Sequence, residues 1–316
     1  MRFRPLASLS VAAAAVLLIA GCSASTPDAT ETTSEAPVSG CESQLKSGAE
    51  SDSIEVAGDF AAEPSVTIPD GFAPAGLERS TVIEGDGDAI GQNEVLEANF
   101  TLIDVATGEV QLETLSSDPD GMDTLVNPQQ IFGAALECAR VGTRTVSVFP
   151  DGALGEGSAA FVLVADALAK LPVRASGAEV APVDGMPTVE LSDDGAPTIT
   201  IPEGEAPTEV KLENLIQGDG DTVAPGDQVI VQYTGVKYSD GSVFDSSWDR
   251  GAPTQFGTDG VVDGFRQALE GQQVGSQVVV VIPPAFGYGA DATSELQNET
   301  LVFVVDILGV QHAAAA

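Results

Sequence analysis

Val229-Ile230-Val231-Gln232-Tyr233-Thr234-Gly235 alternates large apolar residues with others, as a half-buried strand does. It places Val229, Val231 and Tyr233 on one face. Asp240-Gly241 is a hairpin turn signal. Beyond it, the run Phe244-Asp245-Ser246-Ser247-Trp248-Asp249-Arg250 returns Phe244 and Asp245 toward the same face. An apolar strand thus carries a Tyr, a Phe and an Asp into one place. An ordinary core strand with one surface acid would read the same way, so the residues around the run decide its meaning.

The chain has 316 residues, room for about two domains of usual size. It is poor in aromatics and rich in Gly and Pro, a composition that suits short strands joined by turns. With 12 basic against 48 acidic residues the formal net charge is -36. Such a chain repels nucleic acid and anionic membrane surfaces. The acids are scattered, as solubilising charge is. The single histidine, His312, lies four residues from the end and reads as a solvated tail residue. Its solitude excludes most Ser-His-Asp and Cys-His catalysis and every multi-histidine metal site.

At the start, Arg2 and Arg4 precede an apolar run from Leu9 to Ala20, closed by Gly21-Cys22. The run is short for a membrane span and has the layout of a secretion signal. Ile19-Ala20-Gly21-Cys22 resembles a bacterial lipobox, which implies cleavage before Cys22, an acyl anchor on its thiol and an extracytoplasmic, membrane-anchored location. A plain signal with an incidental cysteine is the other reading. Residues 1–21 are read as this signal and 22–48 as a flexible tether, since Ser, Thr, Pro, Ala and acid cannot offset the entropy of ordering. Of the remaining cysteines, Cys41 and Cys138 are expected to form a disulfide outside the cytoplasm. Two free thiols remain the alternative.

The chain also repeats itself. Val66-Thr67-Ile68-Pro69-Asp70-Gly71 matches Ile199-Thr200-Ile201-Pro202-Glu203-Gly204, and each precedes a Gly-Asp-Gly-Asp, at 85–88 and 218–221. Phe132 to Glu137 parallels Phe265 to Glu270, Val141 to Pro150 parallels Val274 to Pro283, and Phe161 to Asp166 parallels Leu301 to Asp306. Two copies of one domain are expected, 49–171 and 196–312, with 172–195 as a linker that has room for a stray strand. The Gly-Asp-Gly-Asp segments lack the fuller calcium-ligand spacing and read as loops between strands. Asp263 to Glu270 is expected as a short helix stopped by Gly271. Val278 to Ile282 reads as a buried strand, and Leu301 to Leu308 alternates with Leu301, Phe303, Val305 and Ile307 on one face.

The second copy carries Gln232-Tyr233-Thr234-Gly235, Phe244-Asp245-Ser246-Ser247, Val274-Gly275 leading to Ile282-Pro283-Pro284, Phe286-Gly287-Tyr288-Gly289 and Leu301-Val302-Phe303. In order and spacing these resemble the FKBP-type peptidyl-prolyl cis-trans isomerases, strongly over about Val210 to Val310 and weakly over Ser65 to Leu168. The resemblance implies an α+β fold: two FKBP-like domains, each an antiparallel β-sheet wrapped around one short α-helix. It implies an isomerase that needs no cofactor and no metal. It assigns Tyr233, Phe244, Phe256 and Phe303 to the pocket wall, Asp245 as its acid, Tyr288 as a hydrogen-bonding phenol, and Val261 and Val262 to the rim. Phe265 stands where the family often has Trp as the floor, and Arg250 would pair with Tyr233 or Asp245. Implied partners are proline-containing unfolded or exported polypeptides and macrolide inhibitors.

Two departures stand out. Phe265 lacks an indole N–H, and the loop from Ala290 to Thr300 is short and without an Ile-Pro segment, with Leu296 as a partial replacement for the lost contact. In the first copy Phe100 or Asn99, Gln111, Leu112 and Gly155 stand where the second has Tyr233, Phe244, Asp245 and Tyr288. Only Phe132 keeps a pocket position, so that copy is expected to be structural or peptide-binding without isomerase activity.

Overall fold

The computed structural model describes residues 41–114, 122–127 and 129–313. Cys22 and the signal lie outside them. The first copy runs through α1 (Ala49–Asp52), β1 (Glu55–Ala57), β2 (Ser65–Thr67), β3 (Glu78–Ile83), β4 (Val95–Asp104), β5 (Val110–Glu113), β6 (Met122–Leu125), α2 (Ile131–Leu136), β7 (Arg144–Phe149) and β8 (Phe161–Leu171). The second runs through β9 (Ala178–Glu179), β10 (Thr188–Leu191), β11 (Pro197–Thr200), β12 (Lys211–Gln217), β13 (Gln228–Lys237), β14 (Val243–Ser246), α3 (Ser247–Arg250), β15 (Thr254–Gly257), α4 (Asp263–Leu269), β16 (Gln277–Ile282) and β17 (Leu301–Gln311).

The repeat is a repeat of topology. One sheet has the order β3-β7-β8-β4-β5 with β6 on β4. The other has β12-β16-β17-β13-β14 with β15 on β13, extended by β9 beyond β12. All these pairings are antiparallel. The fold is α+β, with α2 or α4 seated on one face of each sheet. In the second copy Phe265, Ala268 and Leu269 of α4 share a core with Val278, Val280 and Ile282 of β16 and with Val229, Val231 and Tyr233 of β13. Gly264 permits the close seating, because a Cβ there would lie 2.4 Å from Ile282. Gly271, at φ 83, follows the helix as the stop signal requires.

The Gly-Asp-Gly-Asp segments are crossings. Gly85 and Gly218 each pass so close to the Val-Gly turn that an added Cβ would meet backbone at 2.4 Å and 2.2 Å. Their N–H groups donate to the hydroxyls of Thr143 at 3.1 Å and Ser276 at 2.9 Å. One loop device has been kept in both copies.

Three expectations need correction. Residues 172–195 hold more than a stray strand. Their β9 adds to the sheet edge, and β10 pairs with β11 to form a hairpin. That hairpin brings Val189, Ile199 and Ile201 onto the back of the sheet, against Val279, Val281, Val302 and Val304. The pair β1 and β2 covers the first sheet in the same way, so each domain begins with a covering hairpin. The tether ends earlier than residue 48: Cys41 is bonded to Cys138 and Leu45 is buried in the first core. His312 is solvated as expected but not loose, because its half-exposed ring is tied down with Nδ1 2.8 Å from the buried carboxylate of Asp227. The two copies also meet along a seam, on which the sequence was silent. Val95, Leu125 and Leu171 of the first copy pack with Ile230 and Leu308 of the second, and Val310 N–H donates to Asp123 at 2.8 Å.

Candidate active site

Strand β13 brings Tyr233 into the core, and its neighbour β14 contains a bulge. Gly235 pairs with Asp245, but the next pair is Val236 with Val243, so Phe244 is an extra residue without a partner. Regular pleating would send Phe244 and Asp245 to opposite faces. The bulge turns both toward one cavity. Gly235 makes room for this: a Cβ there would sit 2.7 Å from the rings of both Phe244 and Phe303. The Ser247 hydroxyl holds the strand by accepting the Tyr233 N–H at 2.8 Å.

The cavity has a volume of about 270 Å³, and Tyr233, Phe244, Asp245, Phe256, Gly260, Val261, Val262, Phe265, Tyr288 and Phe303 line it. Two larger concavities lie elsewhere, between each covering hairpin and its sheet, and have more polar linings. Within the site, Phe265 and Phe303 meet edge to face at 4.9 Å, Phe244 and Phe303 at 5.4 Å, and Phe256 and Phe265 at 6.1 Å. Edge-to-face packing of this kind is favoured by the ring quadrupoles. Phe265 is 4 % exposed and closes the base.

One polar group crosses the wall. The Tyr233 hydroxyl donates to Asp245 Oδ2 at 2.5 Å. Arg250 pairs with Asp245 Oδ1 and donates to the Tyr233 hydroxyl at 2.9 Å. The guanidinium also lies 5.4 Å from the Tyr233 ring centre, within cation–π range. Arg250 therefore serves both partners that the sequence left as alternatives. Burial, and then the bond to Asp245, push the Tyr233 phenol up to about 12, so it stays a neutral donor at physiological pH.

The structure brings together Tyr233, Phe244, Asp245, Phe256, Val261, Val262, Phe265, Tyr288 and Phe303. Arg250 stands outside the cavity and holds its wall. Leu296 does not line the cavity. Its loop closes in successive turns at Asp291, Ser294 and Leu296, which fold the side chain onto the core instead. Gly235, Ser247 and Gly260 were not recognised from sequence as parts of the site. A glycine inside a strand pattern was the available signal for Gly235, since it marks a close approach.

In the first copy the Phe100 N–H donates to the Thr114 hydroxyl at 2.9 Å, the counterpart of Tyr233 with Ser247. This settles Phe100, rather than Asn99, as the equivalent of Tyr233. Phe100 and Phe132 meet at 4.7 Å. Leu102, at the position of Gly235, packs against the same cluster with Met122 and Ile131.

A family profile described as FKBP-type peptidyl-prolyl cis-trans isomerase matches residues 220–308, within the second copy. A probable FK506-binding protein of Corynebacterium glutamicum is 38% identical over 101 residues, which span 32% of this chain and 86% of that protein. An FK506-binding protein of Streptomyces anulatus is 37% identical over 107 residues, spanning 32% and 86%. The crystal structure of FkpA from Escherichia coli aligns at 31% identity with a TM-score of 0.32, over 41% of this chain and 53% of that one. The chain belongs to the family of FKBP-type peptidyl-prolyl cis-trans isomerases.

Proposed function

We propose that the second domain catalyses rotation about X-Pro bonds in its aromatic cavity, and that the substrates are exported polypeptides folding at the outer side of a membrane. The observation that carries this reading is the enclosure of one small cavity by six aromatic side chains with a single carboxylate in its wall. At about 270 Å³ it falls just below the roughly 300–1,000 Å³ of drug-sized sites, and it suits one prolyl side chain rather than a long segment.

The chemistry asks for little else. An X-Pro amide rotates over a barrier of roughly 18–20 kcal/mol, and uncatalysed exchange takes on the order of tens to hundreds of seconds. No bond breaks, so no nucleophile, metal or cofactor is required. The twisted amide loses resonance and its carbonyl becomes less polar. A dry aromatic lining therefore favours it over the planar, well-solvated ground state. The Tyr288 hydroxyl at the lining donates to a substrate carbonyl and fixes the pose. Asp245, compensated by Arg250 and Tyr233, acts as a fixed dipole in the wall and not as a proton carrier. Lowering the barrier by about 5 kcal/mol corresponds to roughly four powers of ten in rate.

The extracytoplasmic setting is supported by the Cys41–Cys138 bond, since disulfides persist in oxidising compartments. Acylation of Cys22 with two chains would hold the protein at the membrane. Mass spectrometry of the mature N-terminus checks this: a start other than acylated Cys22 removes the anchor. For catalysis, exchange of a proline tetrapeptide is followed with wild type, Asp245→Ala and Phe303→Ala. We expect acceleration by wild type and a loss of about ten- to hundredfold in each variant. A wild type that binds the peptide or a macrolide without accelerating exchange would instead be a proline-peptide-binding chaperone.

A further inference from the structure

Trp248 is the one tryptophan of the chain and the second residue of α3. This helix has only four residues, too few to be stable by its own hydrogen bonds. Yet its ends serve the site. Ser247 fixes the backbone of Tyr233, and Arg250 reaches Asp245 and the Tyr233 hydroxyl. The Ser246 hydroxyl caps its start by accepting the Asp249 N–H at 3.3 Å, and Gly251, at φ 72, ends it.

The remaining support comes from the segment between the domains. Gly195, at φ 97, brings a turn against the indole: a Cβ there would lie 3.2 Å from Trp248 Cη2 and 3.0 Å from Arg174 Cδ. Arg174 in turn donates to the Asp193 carbonyl at 3.1 Å. The residues after it are fastened to the sheet. Ala175 N–H donates to Asp306 at 2.8 Å, and the N–H groups of Ser176 and Gly177 donate to the Gly275 carbonyl at 3.1 and 3.2 Å. The indole N–H is buried without a hydrogen-bond partner among the described residues, so packing, and not a polar bond, sets the place of the ring.

We propose that Trp248 is a positioning residue for the isomerase site: clasped by Arg174 and Gly195 of the interdomain segment, it holds the short helix that delivers Arg250 to Asp245 and Tyr233. This rests on the reading of the cavity as the isomerase site, and it makes the connection between the domains part of the frame of that site.

The test uses the full mature chain. Turnover of a proline tetrapeptide and thermal stability are measured for Trp248→Ala, Trp248→Phe, Arg250→Ala and the Trp248→Ala/Arg250→Ala double variant. Each alanine variant should lower kcat/KM about ten- to hundredfold, the scale of losing a charge-assisted hydrogen bond. The double variant should be no worse than the poorer single, because both remove one interaction. Trp248→Phe should restore activity, since the ring packing is kept and the unpaired N–H is gone. The proposal is overturned if Trp248→Ala only lowers the melting temperature, if its effect multiplies with that of Arg250→Ala, or if Arg250→Ala alone is silent. An inactive wild type would refute the reading of the cavity instead. Tryptophan emission gives an independent readout: Arg174→Ala should shift it to the red as water reaches the indole, and unchanged emission would refute the clasp.

Discussion

Asp166 and Asp306 hold equivalent places in the two sheets, and their partners differ. Asp166 forms a buried ion pair with Arg144 at 2.6 Å, whose guanidinium also donates to the carbonyls of Gly58 and Ala62. Among the described residues Asp306 has neutral donors alone, Gln277 Nε2 at 2.7 Å and Ala175 N–H at 2.8 Å, with Arg174 acting through its charge. Burial pushes the Asp306 carboxyl up to about 6 from an ordinary value of 3.8. The folded protein then holds this proton more tightly than the unfolded chain does. The contribution of Asp306 to stability is most favourable below about pH 4, weakens as pH rises, and is at its least favourable above about pH 6. The difference is about 3 kcal/mol. Asp306→Asn removes the charge and keeps the shape. Urea unfolding should show it more stable than wild type by about 1–3 kcal/mol at pH 7.5, with the gain cut to about a third at pH 4.5. An equal gain at both values would count against a buried charge. The sequence aligned the two aspartates but could not show this contrast, because their partners are brought in from distant segments.

At the scale of the element, the bulge in β14 and the glycine in β13 work together. Gly235 leaves the space that Phe244 and Phe303 fill from either side. Gly235→Ala should push both rings into the cavity. We expect kcat/KM to fall about tenfold, with a stability loss of about 1–3 kcal/mol typical of overpacking, measured by tetrapeptide exchange and urea unfolding. Unchanged turnover would mean that the rings can retreat without narrowing the site. The strand, the turn at Asp240-Gly241 and the helix before Gly271 were legible because each follows a local period or stop signal. The β10–β11 hairpin was not. Its strands are four residues each, rich in Pro, Gly and acid nearby, and its few apolar residues gain meaning only against the valines on the back of the sheet.

Across the whole molecule, the seam of Val95, Leu125, Leu171, Ile230 and Leu308 turns two domains into one body. Every residue lining the cavity comes from the second copy, so the seam and the chemistry are separable. Leu125, 4 % exposed, tests this. Leu125→Asp places an unpaired charge in the seam, which apolar packing does not tolerate. Small-angle scattering should show a larger radius of gyration, while tetrapeptide turnover stays unchanged. A compact variant with impaired turnover would show that the first domain supports the site directly.

The residues alone determined the two copies, the α+β class and the identity of the aromatic and acidic groups, because strand alternation, stop signals and ordered motifs are local and survive in one dimension. Only the tertiary structure decided that a bulge at Phe244 is what turns Phe244 and Asp245 to one face, that Leu296 turns to the core, that Arg250 serves two partners, and that the supposed linker covers the second sheet and seats Gly195 against Trp248. Each of these depends on an inserted residue, a close approach or a contact between distant segments, and such contacts are fixed by packing in three dimensions.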